Sequence, residues 1–160
     1  MTAMCEVVLD AMAKAVRART AAIAVMDPTE RRLRIVATRG YPLLLVDHVR
    51  IDPGVGVIGT VYRDRKVIRA GGNADAPIGR KPRLRHRTSS FVGVPIATAD
   101  EVLAVACVTD REDDQPFTHA DVSLLRALAA PAALALAQAR ASERAEMYAH
   151  AAAKIGRAHV

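Results

Sequence analysis

The stretch from Ser90 to Ala139 constrains this chain most. It reads SFVGVPIAT, a short Ala99-Asp100-Glu101 break, VLAVACVT, a polar gap, and then PFTHADVSLLRALAAPAALALAQA. Two apolar, β-branched runs divided by so short a break predict a hairpin over Ser90–Thr98 and Val102–Thr109. Thr118 with Asp121 three residues on has the form of a capping box, with Asp in place of the usual Glu or Gln. The Ala/Leu run behind it predicts a long helix toward Ala153. Pro131 lies inside that run. It removes one backbone hydrogen bond, so a kink or a restarted helix is expected there.

Upstream, Val8, Ala11, Met12, Ala15 and Val16 recur at helical spacing within Thr2–Arg19. Ala21–Met26 is an apolar strand, and Asp27-Pro28-Thr29-Glu30 is a turn. Leu33, Ile35 and Ala37 alternate with Arg34, Val36 and Thr38, which suits a second strand. His48–Ile51 is a short strand. Gly54-Val55-Gly56-Val57-Ile58-Gly59 then leads into a brief helix through Tyr62 and Arg63. Val67–Arg69 is a further short strand, and Ala70–Arg87 reads as a long polar loop. No strand pair is joined by a full-length crossover helix. The expected fold is therefore α+β, a mainly antiparallel sheet covered by helices.

A chain of 160 residues suits one domain. Its two cysteines, Cys5 and Cys107, are too few for a disulfide scaffold and read as small buried hydrophobes. No apolar run reads as a bilayer span and no secretory signal opens the chain, so a cytoplasmic location is expected. The net charge of +6 is unevenly placed. From Arg63 to Arg87 nine residues are Arg or Lys and only Asp64 and Asp75 oppose them, so this segment alone carries +7.

The ordered marks Arg39-Gly40-Tyr41-Pro42, Pro53-Gly54-x-Gly56-x-x-Gly59, SFVGVPI, the Glu101–Asp110 strand and Pro116-Phe117-Thr118 together resemble the GAF domain family over roughly Val7–Arg140. The resemblance implies a six-stranded antiparallel sheet with the N- and C-terminal helices on one face. It also implies a ligand pocket on the other face, and a place among bacterial signalling proteins. The Asn-Lys-Phe-Asp-Glu pattern of cyclic-nucleotide-binding members is missing. Neither cysteine has the His neighbour of bilin-binding members or the loop setting of the sulfoxide reductases of this fold. A non-catalytic domain is expected, with no cofactor.

The glycine row is literally G-x-G-x-x-G, but the run before it is broken by polar residues and the following strand ends at Arg69. A dinucleotide site needs an apolar strand and an acidic ribose ligand, so a tight lead into a helix is the better reading. The basic run Gly79–Arg87 reads either as a solvated loop or as a lid over a small anionic ligand, since Arg offers a fork suited to carboxylate or phosphate. The candidate ligand-binding residues are Arg69, Arg85, Arg87 and Phe91. Nucleic-acid binding would need stacking aromatics or a groove-entering helix beside the charge, and neither is present in the sequence. The five histidines show no metal-ligand spacing.

Val122, Leu125, Ala129, Ala132, Leu136 and Ala139 form an a/d seam on the last helix. It reads either as one-sided packing on the sheet or as joint packing on the sheet and on a partner's helix. The family resemblance implies a homodimer through the terminal helices and an output domain in cis, a histidine kinase or diguanylate cyclase. Two alternatives are a constitutive dimerisation module without ligand and the effector domain of a transcription regulator. The expected organisation is a sensory domain over 1–140 and the start of a helical linker over 141–154. The last six residues, IGRAHV, are what ATC-GGA-AGA-GCA-CAC-GTC encodes, a string that resembles a sequencing-library adapter. Residues 155–160 are accordingly expected to be read-through from a fragment of a longer gene.

Overall fold

The structure is a computed structural model that describes residues 1–71 and 88–158. Its elements run α1 (Thr2–Ala15), β1 (Ala18–Asp27), β2 (Arg32–Arg39), a 3-10 turn (Leu43–Leu45), β3 (Arg50–Ile51), α2 (Gly56–Asp64), β4 (Ile68–Ala70), β5 (Phe91–Ala97), β6 (Val102–Arg111) and α3 (His119–Ala158). The six strands form one sheet in the order β3-β2-β1-β6-β5-β4, and every neighbouring pair is antiparallel. The α+β expectation and the strand count of the resemblance both hold.

The two central strands, β1 and β6, carry apolar residues on both sides because both faces of the sheet are covered. One face holds Ala21, Ile23, Val92, Val94, Ala106 and Val108 under Leu9 and Met12 of α1 and Leu125 and Leu136 of α3. The other holds Ala22, Ala24, Val105 and Cys107 under α2 and the 3-10 turn. This two-sided burial is why the runs in β1 and β6 read as nearly continuous hydrophobics.

Strict alternation fails at one point in β2. Ile23 pairs with Ala37 and Ala24 with Ile35, so Val36 is the extra residue of a bulge. Leu33 and Ile35 face the α2 side and Val36 the terminal helices, as alternation expects, but Ala37 joins Val36 in the core under the terminal helices instead of following Leu33 and Ile35. A second irregularity, at Ile96/Ala97, leaves Leu103 as the extra residue of β6 and turns it into the same core.

The capping box forms as expected. The Thr118 N–H donates to Asp121 Oδ2 at 2.8 Å, and the Asp121 N–H donates to Thr118 Oγ1 at 3.2 Å. Arg111 Nη1 also reaches Asp121 at 3.2 Å, fixing the start of α3 to the end of β6. The helix then runs through Pro131 as one element. Pro131 and Ala127 both lie on its exposed side, so the carbonyl that loses its partner faces solvent rather than the core.

The 3-10 turn at Leu43–Leu45 has no counterpart in the sequence reading. Three consecutive leucines resemble neither an amphipathic helix nor an alternating strand. Leu44 is 77 % exposed, while the next residue but one, Val46, is buried.

Candidate functional site

The face opposite the terminal helices is built by a glycine-dependent turn. Gly54 and Gly56 have φ of +86° and +66°, a left-handed backbone that glycine adopts without strain. The Gly54 N–H donates to the Gly59 carbonyl at 2.7 Å, folding the chain back on the first turn of α2. At Gly59 a Cβ would stand 2.4 Å from the Asp52 carbonyl oxygen. The glycines thus serve a tight lead into α2, as the sequence reading preferred.

The described floor of this face is apolar and closely filled. Val57 and Val61 descend from α2 onto Phe91, Val105 and Cys107. A Cβ on Gly93 would sit 3.0 Å from both valines, so α2 rests directly on β5. Phe91 is part of this floor and is 1 % exposed. Tyr41 and Tyr62 pack at the margin of the adjoining cluster.

Arg69 lies on the other side of the sheet. Its neighbours Ile68 and Ala70 pack under α2, so strand alternation turns Arg69 toward α3. Arg69 Nη1 donates to the Phe117 carbonyl at 2.8 Å, and its Nη2 stands 3.4 Å from His119 Nε2. Phe91 and Arg69 therefore do not converge on one described site. The apolar–Arg–apolar pattern of β4 was the signal for this separation. Arg85 and Arg87 lie outside the described residues.

At one corner of the sheet the residues flanking 72–87 are held in place. Gly71 lies against Ser90, where an added Cβ would be 2.6 Å from Ser90 Oγ. That hydroxyl accepts the Phe117 N–H at 3.1 Å. Thr88 is bound to Asp110 through both its N–H and its hydroxyl, each at 2.7 Å.

Cys5 and Cys107 are both buried, as expected. Burial pushes the Cys5 thiol up to about 11, away from the thiolate a nucleophile requires. Among the described residues no group of three or more His, Cys, Asp or Glu side chains is placed to hold a metal ion.

A family model described as "GAF domain" matches residues 1–137. The chain belongs to the GAF domain family. Solved structures agree on the fold. The second GAF domain of DevS from Mycobacterium smegmatis superposes with a TM-score of 0.71 at 22 % identity, over 89 % of this chain and 96 % of that one. A methyl-accepting chemotaxis protein structure, residues 122 to 287, gives 0.68 at 20 % identity, over 86 % and 88 %. A type II free methionine-R-sulfoxide reductase from Thermoplasma acidophilum gives 0.64 at 15 % identity, over 85 % and 92 %. The fold thus occurs in an enzyme as well as in sensory proteins, although GAF domains are in general regulatory sensor modules.

The last helix of this GAF domain needs one correction to the sequence reading. By length and composition α3 is long and apolar enough to cross a membrane. Its buried side is nevertheless fixed to the sheet: Leu125, Ala132, Ala133 and Leu136 all enter the core. The a/d seam of the sequence reading is that same side, for Val122, Ala129 and Ala139 are half-buried beside them.

A second apolar row remains on α3. Leu124, Ala127, Pro131, Leu134, Gln138, Ala141, Ala145, Tyr148, Ala152 and Ile155 alternate at spacings of three and four, and every one is exposed. The row begins beside the domain and continues along the part of α3, from Ala141 on, that touches none of its core.

Proposed function

We propose that this GAF domain is a non-catalytic signal relay in which α3 pairs with the α3 of a second copy and carries a change of packing to an output domain in cis. The second apolar row of α3 supports this reading. From Leu124 to Ala152 it covers about 42 Å at ~1.5 Å per residue. Its spacing is that of a coiled-coil seam, and it is flanked by exposed small residues such as Ala130 and Ala149 that let two helices approach. Gln138 is its one polar member. In a parallel, in-register pair each Gln138 meets its own copy and can be hydrogen-bonded, whereas other registers bury it against alanine or leucine.

The signal is an anionic small molecule bound at the α2 face, and its candidate contacts are Phe91 together with Arg85 and Arg87, which lie outside the described residues. Arg69 contributes from the sheet edge by holding the Phe117 carbonyl at the start of α3. The protein works in the cytoplasm, and the output is a histidine kinase or a diguanylate cyclase.

The pairing is tested with Tyr148→Cys under mild oxidation. A parallel, in-register pair places the two introduced thiols opposite each other and gives a covalent dimer on a non-reducing gel. An antiparallel pair centred on the row carries the two thiols to opposite ends of the contact and gives none. Sedimentation that shows only monomer at micromolar concentration would defeat the reading.

A further inference from the structure

A cleft of about 410 Å³ opens on the sheet face that carries the terminal helices, away from Phe91 and α2. Arg65 and Lys66 line it from the α2–β4 connection, and Arg126 lines it from the second turn of α3. Its apolar wall is Val67, Val94 and Ala129. Val94 is buried, and Val67 and Ala129 are half-buried against the same core. The volume lies within the ~300–1,000 Å³ typical of small-molecule sites.

The charge of this cleft is one-sided. Among the described residues its lining includes no carboxylate. Among the described residues, no carboxylate stands within ion-pair distance of Lys66 or Arg126, and Asp64, the nearest acid in sequence, is held by Arg63 at 2.8 Å. Arg65 is fixed in advance. Its backbone takes the left-handed conformation at φ 56°, and Nη2 donates to the Thr98 carbonyl at 2.7 Å. Three cationic residues, from the α2–β4 connection and from α3, thus line one opening, and like charges sharing an opening repel. An anion there is favoured by charge and by the hydrogen bonds that Arg and Lys donate.

We propose that this cleft is an anion site for a small amphiphile, a phosphate or carboxylate head on a short apolar body. The head sits between Lys66 and Arg126, with Arg65 as the third donor. The body lies on Val67, Val94 and Ala129. Because Arg126 belongs to α3 while Lys66 belongs to the α2–β4 connection, a bound anion ties the two together. Occupancy therefore stiffens the attachment of the helix proposed to carry the output. This site is separate from the α2-face ligand proposed above, and its fate does not depend on that ligand or on dimerisation.

The test uses hexyl phosphate as probe on the full chain, with methyl-resolved NMR and calorimetry at low salt. The expected result is saturable binding that shifts the Val67, Val94 and Ala129 methyls. Lys66→Glu and Arg126→Glu each weaken it by at least about tenfold, whereas Lys154→Glu, far along α3, leaves it unchanged. Inorganic phosphate should bind more weakly, since it gains nothing from the apolar wall. Melting curves of the variants separate lost affinity from lost fold, and Lys66→Gln with Arg126→Gln serves if a charge reversal unfolds the chain. Failure to bind the probe at millimolar concentration, shifts confined to the α2 face, or undiminished affinity in folded charge-reversed variants would overturn the assignment. So would equal affinity for inorganic phosphate, or binding to phosphatidylglycerol vesicles without binding of soluble hexyl phosphate.

Discussion

The Asp110 carboxylate accepts two hydrogen bonds from Thr88, one from its N–H and one from its hydroxyl, both at 2.7 Å. Asp110 is 1 % exposed and sits in the left-handed region at φ 57°. An acceptor so placed fixes where the chain rejoins the sheet at β5. Asp110→Ala leaves two donors without their acceptor and puts alanine in a conformation it disfavours. The expected loss is about 2–3 kcal/mol of unfolding free energy by urea titration. Asp110→Asn keeps an acceptor oxygen and tolerates the left-handed backbone, so it should lose less than half as much. Equal losses in the two variants would show that the contact to Thr88 is not what the carboxylate provides.

The seating of α2 depends on two glycines that differ in what opposes them. At Gly59 an added Cβ meets the Asp52 carbonyl at 2.4 Å, which is backbone and cannot turn aside. At Gly93 it meets the side-chain methyls of Val57 and Val61, both at 3.0 Å, which can give by a few tenths of an ångström. Gly59→Ala should therefore cost more than Gly93→Ala, about 2–3 against about 1 kcal/mol. Val61→Ala should relieve Gly93→Ala in a double-mutant cycle and leave Gly59→Ala unrelieved.

Much of this architecture is legible in the sequence because the deciding signals are local. The Thr118/Asp121 box, the Gly54–Gly59 turn and the hairpin around Asp100 each set their own geometry within a few residues. The side of the sheet on which a residue falls is a different matter. Ala37 leaves the side of Leu33 and Ile35 because a bulge is settled by the partner strand β1, and no pattern within β2 announces it. Arg69 joined the candidate ligand set because it is basic and near other basic residues. Strand parity sends it to the α3 side, and only the burial of Ile68 and Ala70 reveals which parity holds. The basic cleft escaped for the same reason. Arg126 is 60 residues from Lys66 in the chain, and α3 must dock before the two line one opening.

Acid should weaken the fold through specific carboxylates. Backbone N–H donors of Glu30 and Thr29 hold the Asp27 carboxyl below its ordinary value. Asp113 is lowered by the Gln115 N–H, and Glu101 by Arg140. A carboxyl lowered in the folded state contributes stability above its unfolded pKa of roughly 4, and loses it as pH falls through the folded value. Stability should thus be level near neutrality and decline below about pH 4. Asp27→Asn retains an acceptor for both N–H groups but cannot titrate. The stability difference between Asp27→Asn and the parent should shrink as pH falls through that window, in urea titrations at stepped pH. A difference that stays constant from neutrality to about pH 3 would remove Asp27 from the account.

Leu134 and Leu136 are two residues apart on α3 and face opposite directions. Leu136 is 0 % exposed in the core, and Leu134 is 61 % exposed on the second apolar row. The two truncations should therefore separate folding from association. Leu136→Ala opens a space under the sheet and should cost about 2–5 kcal/mol at any protein concentration. Leu134→Ala removes a side chain that water already reaches in the single chain, so the dilute protein should change by no more than about 0.5 kcal/mol. At high concentration, where a second copy covers the row, Leu134→Ala should weaken self-association and lower the concentration-dependent part of the melting temperature. Analytical ultracentrifugation beside melting curves at two concentrations distinguishes these effects. A concentration-independent loss from Leu134→Ala as large as that from Leu136→Ala would place Leu134 in the core of the single chain, and the second row of α3 would lose its meaning as a seam.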